Sequence, residues 1–441
     1  MAERAVAWRD GAGVARVPVH RNAALSTLIG CAWGETCWAC ARSTDIYFSK
    51  LSLSGFRNHL DTQLELAPGL AVFQGANGQG KSNLLEAAYL LAIAKSPRTG
   101  ADREVLNWDI ARNGGHAQVL GVAREGDHTV QAQVDIDVAP AGAAPGMDEG
   151  PQLRKSFRIN GIIRPAAEFV GNINVVSFEA SDLDLVFGPP SVRRRFLDIV
   201  ISQSDPAYLR TLQRYSRVVM QRNQLLRRVR EDNAAMDELD FWDGRLATEG
   251  AVVTEKRQKA VSRLYPQAAV EHGKLGSQAE ELEVEYRPRL EPEGAGPEEA
   301  SAAATAADVA ATLLGNIPAL RRREVAQGVS LVGPHRDELT IRLNGQDAGA
   351  FASRGQARCI ALALKLAEAS LLTEATGRRP VLALDDVLSE LDPVRRRLVL
   401  SQAAGYEQTL LTVTEFEAVD RQSLEKAWRY TVQEGKVSPV G

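Results

Sequence analysis

The chain has 441 residues, 44% of them hydrophobic and 24% charged, with a formal net charge of −4. This length can bury a large core and is expected to hold about two or three domains of ordinary soluble composition. No apolar run is long enough for a membrane span. The four cysteines, three of them near the N-terminus, do not form a disulfide scaffold, so a reducing cytoplasm is expected. Mild acidity does not advertise a nucleic-acid binder, although an average conceals a local basic face.

Residues 1–45 show no clear period and read as an unstructured extension. Ala23 to Trp33 resembles a weak signal segment, but export would part the protein from cytosolic ATP. Cys31, Cys37 and Cys40 with His20 fit no ordinary zinc spacing. From Ile46 the pattern changes to the alternation of strands, over Ile46 to Leu53 and Gln63 to Leu66, leading into the apolar strand Leu70 to Phe73. Next comes GANGQGKS, Gly75 to Ser82, which fits G-x-x-x-x-G-K-[ST], and then the helix former Asn83 to Ala94. Strand, glycine-rich turn and helix present free backbone N–H groups and a helix N-terminus to a phosphate chain. Gly75, Ala76, Asn77, Gly78, Gln79, Gly80 and Asn83 would cradle a nucleotide. Lys81 would reach its β/γ oxygens and Ser82 would ligate Mg²⁺. Arg57 and Asn58, in the turn GFRNH, sit near the nucleotide if that turn folds over the loop, and are plain surface residues otherwise.

Val119 to Val138 alternates as strands do, Ala139 to Pro151 reads as a loose loop, and the Asn-Gly of FRINGII (Phe157 to Ile163) predicts a hairpin. Pro189 and Pro190 then break the chain, with Ser191 as a candidate helix cap. From Pro189 to Asp232, ten arginines face four acids, a net +6 inside an acidic protein. Tyr208, Leu212, Tyr215, Val219, Leu226 and Val229 follow a heptad-like spacing that Arg222 interrupts. The reading is a helical arm with an apolar seam and a basic outer face, suited to phosphate backbone or else merely solvated. Arg193, Arg194, Arg210, Arg214, Arg217, Arg227 and Arg228 are the candidate DNA contacts. Phe241 to Ala269 predicts a second helix antiparallel to the first, and Glu291 to Ala307 a flexible insertion.

In the last third, Ser353-Arg354-Gly355-Gln356 opens a long helix that stops at Gly377. Ser353 and Gln356 make a capping box. Arg354 and Gly355 are left over, and a hydroxyl, a glycine and a helix N-terminus also suit the γ-phosphate held by another copy. The apolar strand Val381 to Leu384 delivers Asp385 and Asp386 at its C-terminal end. Asp385 would hold Mg²⁺, directly or through water, and Asp386 would polarise the attacking water. SELD, with Ser389 and Asp392, follows.

These segments resemble the ABC-type ATPase heads of SMC-like proteins, and within them the RecF family. LSLSGFRNHL, GANGQGKSNLLEA, SFEASDLDLV, GPPSVRRRFLD, GPHRDEL, SRGQAR and VLALDDVLSELD carry the resemblance, in family order, from Leu51 to Asp392. It implies an α/β fold: an ABC-type P-loop head with a mixed sheet, split into residues 46–195 and 325–441 around a helical arm at 196–324. It further implies ATP-driven homodimerisation, with Ser353 to Gln356 as a signature acting in trans and Ser389 and Asp392 as the D-loop. Weak DNA-stimulated ATP hydrolysis, double-stranded DNA with gap junctions as partner, RecR, RecO and RecA as associates, a role in the SOS response and a nucleoid location are likewise implied. Departures are few. Ala180-Ser181 stands where proline is usual, and Asp385-Asp386 where many ABC proteins have Asp-Glu, which predicts slow hydrolysis. A transporter ATPase subunit, a small-molecule kinase and a non-hydrolysing scaffold are the rival readings; the kinase has no use for SRGQ or SELD.

Overall fold

Period-two alternation and unbroken apolar runs predict different sheets, and both form. The computed structural model describes residues 45–139, 153–276, 280–291 and 305–440. The extension, most of the 139–151 loop and most of the 291–307 insertion therefore lie outside the described residues. One six-stranded sheet is antiparallel throughout, in the order His59–Glu65, Ile46–Phe56, Gly115–Glu125, His128–Val138, Leu153–Ile159, Ile162–Arg164. Asn160 and Gly161, both at positive φ, make the hairpin turn that the Asn-Gly pair predicts. The first two strands thus precede the phosphate-loop strand in the chain but belong to another sheet.

The phosphate-loop strand Gly69–Gln74 lies inside a second six-stranded sheet. Its order is Lys436–Pro439, Trp428–Gln433, Gly69–Gln74, Gln408–Val413, Val381–Asp385, Val175–Phe178, parallel except for the first pair. Both faces are covered. Ala71, Phe73, Val175, Ala383 and Leu410 face the helix Lys81–Ile93, which is buried from Leu84 to its end and fills the space between the two large sheets. Val72, Val176, Leu382, Leu384 and Leu411 face the helix Arg354–Thr376 through Cys359, Leu362, Ala363 and Leu366. One strand set thereby anchors the helix Lys81–Ile93 on one face and the helix Arg354–Thr376 on the other.

Among the described residues the arm holds four α-helices: Pro190–Ser204, Pro206–Arg230, Leu239–Leu275 and Ala306–Gln327. A small sheet of Leu282–Arg287, Glu338–Leu343 and Gln346–Asp347 accompanies them. Two expectations are corrected here. Ser191 does not cap: Pro189 holds the cap position and Pro190 the first turn, where a missing N–H costs nothing. The arginine-rich segment is also not one helix, because Asp205 stops it and restarts it, accepting from the N–H groups of Ala207 and Tyr208. The antiparallel pairing of the second and third arm helices is observed: Lys256 meets Asp205, Arg214 meets Glu249 and Arg222 meets Asp243.

Arg222 does not interrupt the seam; it is the seam's centre. Its side chain is 0% exposed, with Nε 2.7 Å from Asp243, Nη2 2.5 Å from Glu324 and Nη1 donating 2.8 Å to Ser330 Oγ. A buried guanidinium costs several kcal/mol unless its donors are answered, and here three segments answer them. Among the described residues no helix is long and apolar enough to cross a membrane.

Candidate nucleotide site

The loop Gly75–Gly80 leaves the parallel sheet at its C-terminal edge and turns directly into the helix Lys81–Ile93, whose first turn no side chain caps. Its free N–H groups and dipole are therefore available to an anion. Gly75 must be glycine because a Cβ there would lie 2.4 Å from Val432 O. Gly80, at φ +112°, is both left-handed and pressed against the Asn58 amide. Lys81 Nζ donates to Gly75 O at 2.6 Å and Ala76 O at 3.0 Å. Burial lowers the lysine's pKa, while Asp386 and Asp385 oppose the shift.

The GFRNH turn does fold against this loop. Asn58 Nδ2 donates 3.0 Å to Gln79 O, and Asn83 Nδ2 donates 2.8 Å to Asn58 Oδ1. Arg57 is instead occupied by Glu86, through Nε at 3.0 Å and Nη2 at 2.7 Å. His59, missed in the sequence, is fully buried beneath the loop, with Nε2 3.0 Å from Gly80 O and Nδ1 2.7 Å from Gly435 O. The C-terminal hairpin completes the brace, since Gly435 N donates 2.9 Å to Gln79 O and Glu434 N donates 2.7 Å to Gln79 Oε1.

Asp385 ends its strand directly across the cavity. Its Oδ1 accepts from Ser82 Oγ and Thr412 Oγ1, each at 2.8 Å. Serine hydroxyl beside carboxylate is a hard-oxygen pair of the kind Mg²⁺ takes from a protein, the remaining ligands being phosphate and water. Asp386 follows at φ 53°, a left-handed conformation that costs a non-glycine residue about 1 kcal/mol or more, and its N–H is held 2.9 Å from Thr412 Oγ1. Burial raises the Asp386 carboxyl pKa. These groups line a cavity of about 650 Å³ together with Asn77, Gly78, Arg98, Glu179 and Asp184. Neither Arg98 nor Glu179 is among the sequence-derived residues. Arg98 stands 4.0 Å from Asp385 Oδ2. Glu179 has its pKa raised by burial and then by Asp182. The available signal was Glu179 immediately after the apolar run VVSF, the edge strand of the same sheet, with Asp182 and Asp184 close behind.

The signature turn is elsewhere. Ser353 Oγ accepts from Gln356 N at 3.2 Å while Gln356 Oε1 accepts from Ser353 N at 2.8 Å, so the capping box is present. Ser353, Arg354 and Gly355 are exposed and none lines the cavity around Lys81. Ser389 donates 2.8 Å to Asp386 O, and Asp392 caps the helix Pro393–Ala403 through the N–H groups of Val394 and Arg395. Arg358, one turn into the signature helix, joins the two motifs through Glu390 at 2.8 Å.

The arginines divide. Arg193 is paired to Glu338 at 2.9 Å and Arg194 donates 2.7 Å to Asp337 O, so RRRFLD and GPHRDEL form one internal network. Arg214 is exposed but paired to Glu249 at 3.0 Å, whereas Arg210, Arg217, Arg227 and Arg228 are exposed on the helix Pro206–Arg230.

Comparison with known proteins agrees with this geometry. The family model described as "RecF/RecN/SMC N terminal domain" matches residues 47–438. The DNA replication and repair protein RecF of Herpetosiphon aurantiacus is 38% identical over 401 residues, 90% of this chain and 100% of that protein. The chain belongs to the RecF family. The RecF protein of Chloroflexus aurantiacus is also 38% identical, over 89% of this chain and 99% of its own length. A solved structure described as the recombination mediator protein RecF-ATPrS in the RecFOR pathway superposes with TM-score 0.77 at 28% identity, over 90% of this chain and 99% of that one. A second, RecF-ATP, gives 0.76 at 27% identity. The fold is accordingly the RecF-type ABC ATPase head with its helical arm, as the motif order implies.

Proposed function

We propose that this RecF-family chain is an ATP-gated DNA-binding protein of replication and recombinational repair. The observation that carries the reading is the separation of two half-sites on one subunit. Lys81, Ser82, Asp385 and Asp386 gather around one cavity, while the exposed Ser353-Arg354-Gly355 turn lies outside it. A second copy supplies its signature turn to the γ-phosphate, with Ser389 and Asp392 at the seam, and the nucleotide closes the dimer.

Within one subunit, the helix start and the Gly75–Gly80 backbone bind the phosphates, Lys81 moves from the loop carbonyls to the β/γ oxygens, and Gln79 and Asn58 hold the loop in shape. Ser82 and Asp385 are the residues that would hold Mg²⁺, whose chemistry there is neutralisation of phosphate charge. Asp386 orients the attacking water and is placed to accept its proton. A group supplied in trans is worth about 10³ to 10⁵ in rate in related phosphoryl transfers, so an isolated subunit hydrolyses slowly. Closure brings two arms, with their exposed Arg210, Arg217, Arg227 and Arg228, around a duplex. Binding is governed by phosphate contacts and is largely indifferent to sequence. A cytoplasmic, nucleoid-associated protein that favours gap junctions and works with RecR, RecO and RecA follows from the same family reading.

Turnover measured against protein concentration, with and without duplex, is the deciding experiment. The expected result is a rate per subunit that rises with concentration and again with DNA. Full-speed hydrolysis that is indifferent to dilution and to DNA would refute the reading. A rate that rises instead with a phosphate-acceptor metabolite would favour a kinase.

A further inference from the structure

Arg210, Arg217, Arg227 and Arg228 do not line the junction of the head and the arm. Between them lies a cleft of about 850 Å³, bounded by the turn after the loop helix, by Lys155 on the antiparallel sheet and by the first two arm helices. Its lining carries Lys95, Lys155, Arg194, Arg195 and Arg257 against the carboxylates Asp102 and Asp198. Arg257 is spent on Asp198 at 2.9 Å, and Lys155 meets Asp102 at 2.6 Å. Lys95 is exposed, and no ion pair is found for it among the described residues. Arg195 is exposed and uses one nitrogen on Ser96 O at 2.7 Å, leaving the rest of its fork open. The cations crowd one another: Arg194 is depressed by burial and then by Arg257, and Lys155 by burial with a further contribution from Lys95. A volume in the ligand-pocket range whose lining holds five cations against two carboxylates suits an anion.

We propose that this cleft seats a short stretch of one phosphodiester strand of the bound nucleic acid, with Lys95 and Arg195 as its phosphate contacts. The inference rests on the DNA-binding reading above and moves the contact from the exposed arm to the junction of arm and head. A polymer is favoured over free phosphate because the charge continues beyond the cleft. Leu209 and Ser216 line it, and the neighbouring Arg210 and Arg217 stand exposed on the same helix. Leu209 and Leu212 supply an apolar wall of the kind a sugar edge can cover.

The test is binding of a fluorescein-labelled duplex to the full chain with ATP, across a salt series. Lys95→Ala is expected to reduce the slope of log affinity against log salt by about 0.9, the value for one phosphate contact. Lys95→Glu is expected to weaken binding further at every salt concentration. Wild-type affinity of each variant for a fluorescent ATP analogue reports an intact head. As a second measurement, a photo-crosslinker at position 95 is expected to capture the duplex and to be competed by unlabelled duplex but not by inorganic phosphate. If Lys95→Glu binds with the wild-type slope while Arg227→Glu does not, the cleft is overturned and the arm surface stands. Competition at position 95 by phosphate alone would mark a free-anion site and overturn the polymer. A wild-type chain that binds no duplex at any salt concentration overturns the DNA-binding reading itself.

Discussion

The phosphate loop and the signature turn are the two halves of one proposed catalytic site, and they are built by opposite means. The loop is held from beneath by His59, from the side by Asn58 and from behind by the strand Trp428–Gln433 and its hairpin turn, so that its backbone has little choice of shape. Among the described residues the signature turn has a capping box and one further side-chain bond, from Gln356 to Glu280 at 2.9 Å. A site that must bind nucleotide before it dimerises needs its first half finished in advance. Its second half need only be presented, because the partner's nucleotide supplies the missing contacts. Rigidity is thus spent where ligand selection happens.

This contrast can be broken in order of expected effect. Lys81→Arg keeps the charge but swaps a point donor for a planar fork, and turnover should drop by about 10²-fold or more in a steady-state phosphate-release assay. Ser353→Arg should abolish ATP-dependent dimerisation in sedimentation while leaving monomer ATP affinity at the wild-type level; a dimer unaffected by it ends the trans arrangement. His59→Ala strips the buried contacts under Gly80 and Gly435 and should weaken ATP binding by about 1–3 kcal/mol in calorimetry, with dimerisation failing only as a consequence. In the monomer without ATP, Ser353→Ala removes a helix cap, worth about 1 kcal/mol, and should show as a small fall in melting temperature. Apart from that order stands a pH slope remote from both halves. Burial pushes the His335 pKa down to about 4, with Nδ1 accepting from the Tyr215 hydroxyl at 2.6 Å. Between its unfolded pKa of about 6.5 and that value the unfolded chain takes up a proton that the folded chain refuses, so stability falls on acidification and rises with pH. His335→Gln should flatten the melting-temperature profile in that window.

The elements of the head were readable because local rules suffice for them. A buried strand feeding a glycine loop and an apolar helix needs no distant partner to be recognised, and the capping box at Ser353 is written in four residues. What was not readable depends on distance. Arg222 looks like a break in the seam until Asp243, Glu324 and Ser330 arrive from three other places in the chain. Glu179 and Arg98 reach the cavity only because the edge strand Val175–Phe178 and the turn after the loop helix close on the same sheet edge. Arg193 and Arg194 read as solvent-facing by composition, yet Glu338 and the Asp337 carbonyl, nearly a hundred and fifty residues later, claim them. The family resemblance supplied order and topology; it could not say which charges are used up internally.

The brace between Gln79 and the turn at Glu434-Gly435 ties the chain's first functional motif to a turn translated 355 residues after it. A nascent polypeptide can complete the antiparallel sheet and much of the arm, yet its triphosphate cradle stays unmoulded until residues 428–439 have emerged and docked. Full competence for nucleotide therefore waits on those residues, and a translation product stalled before residue 428 should bind ATP more weakly however well the rest of it folds.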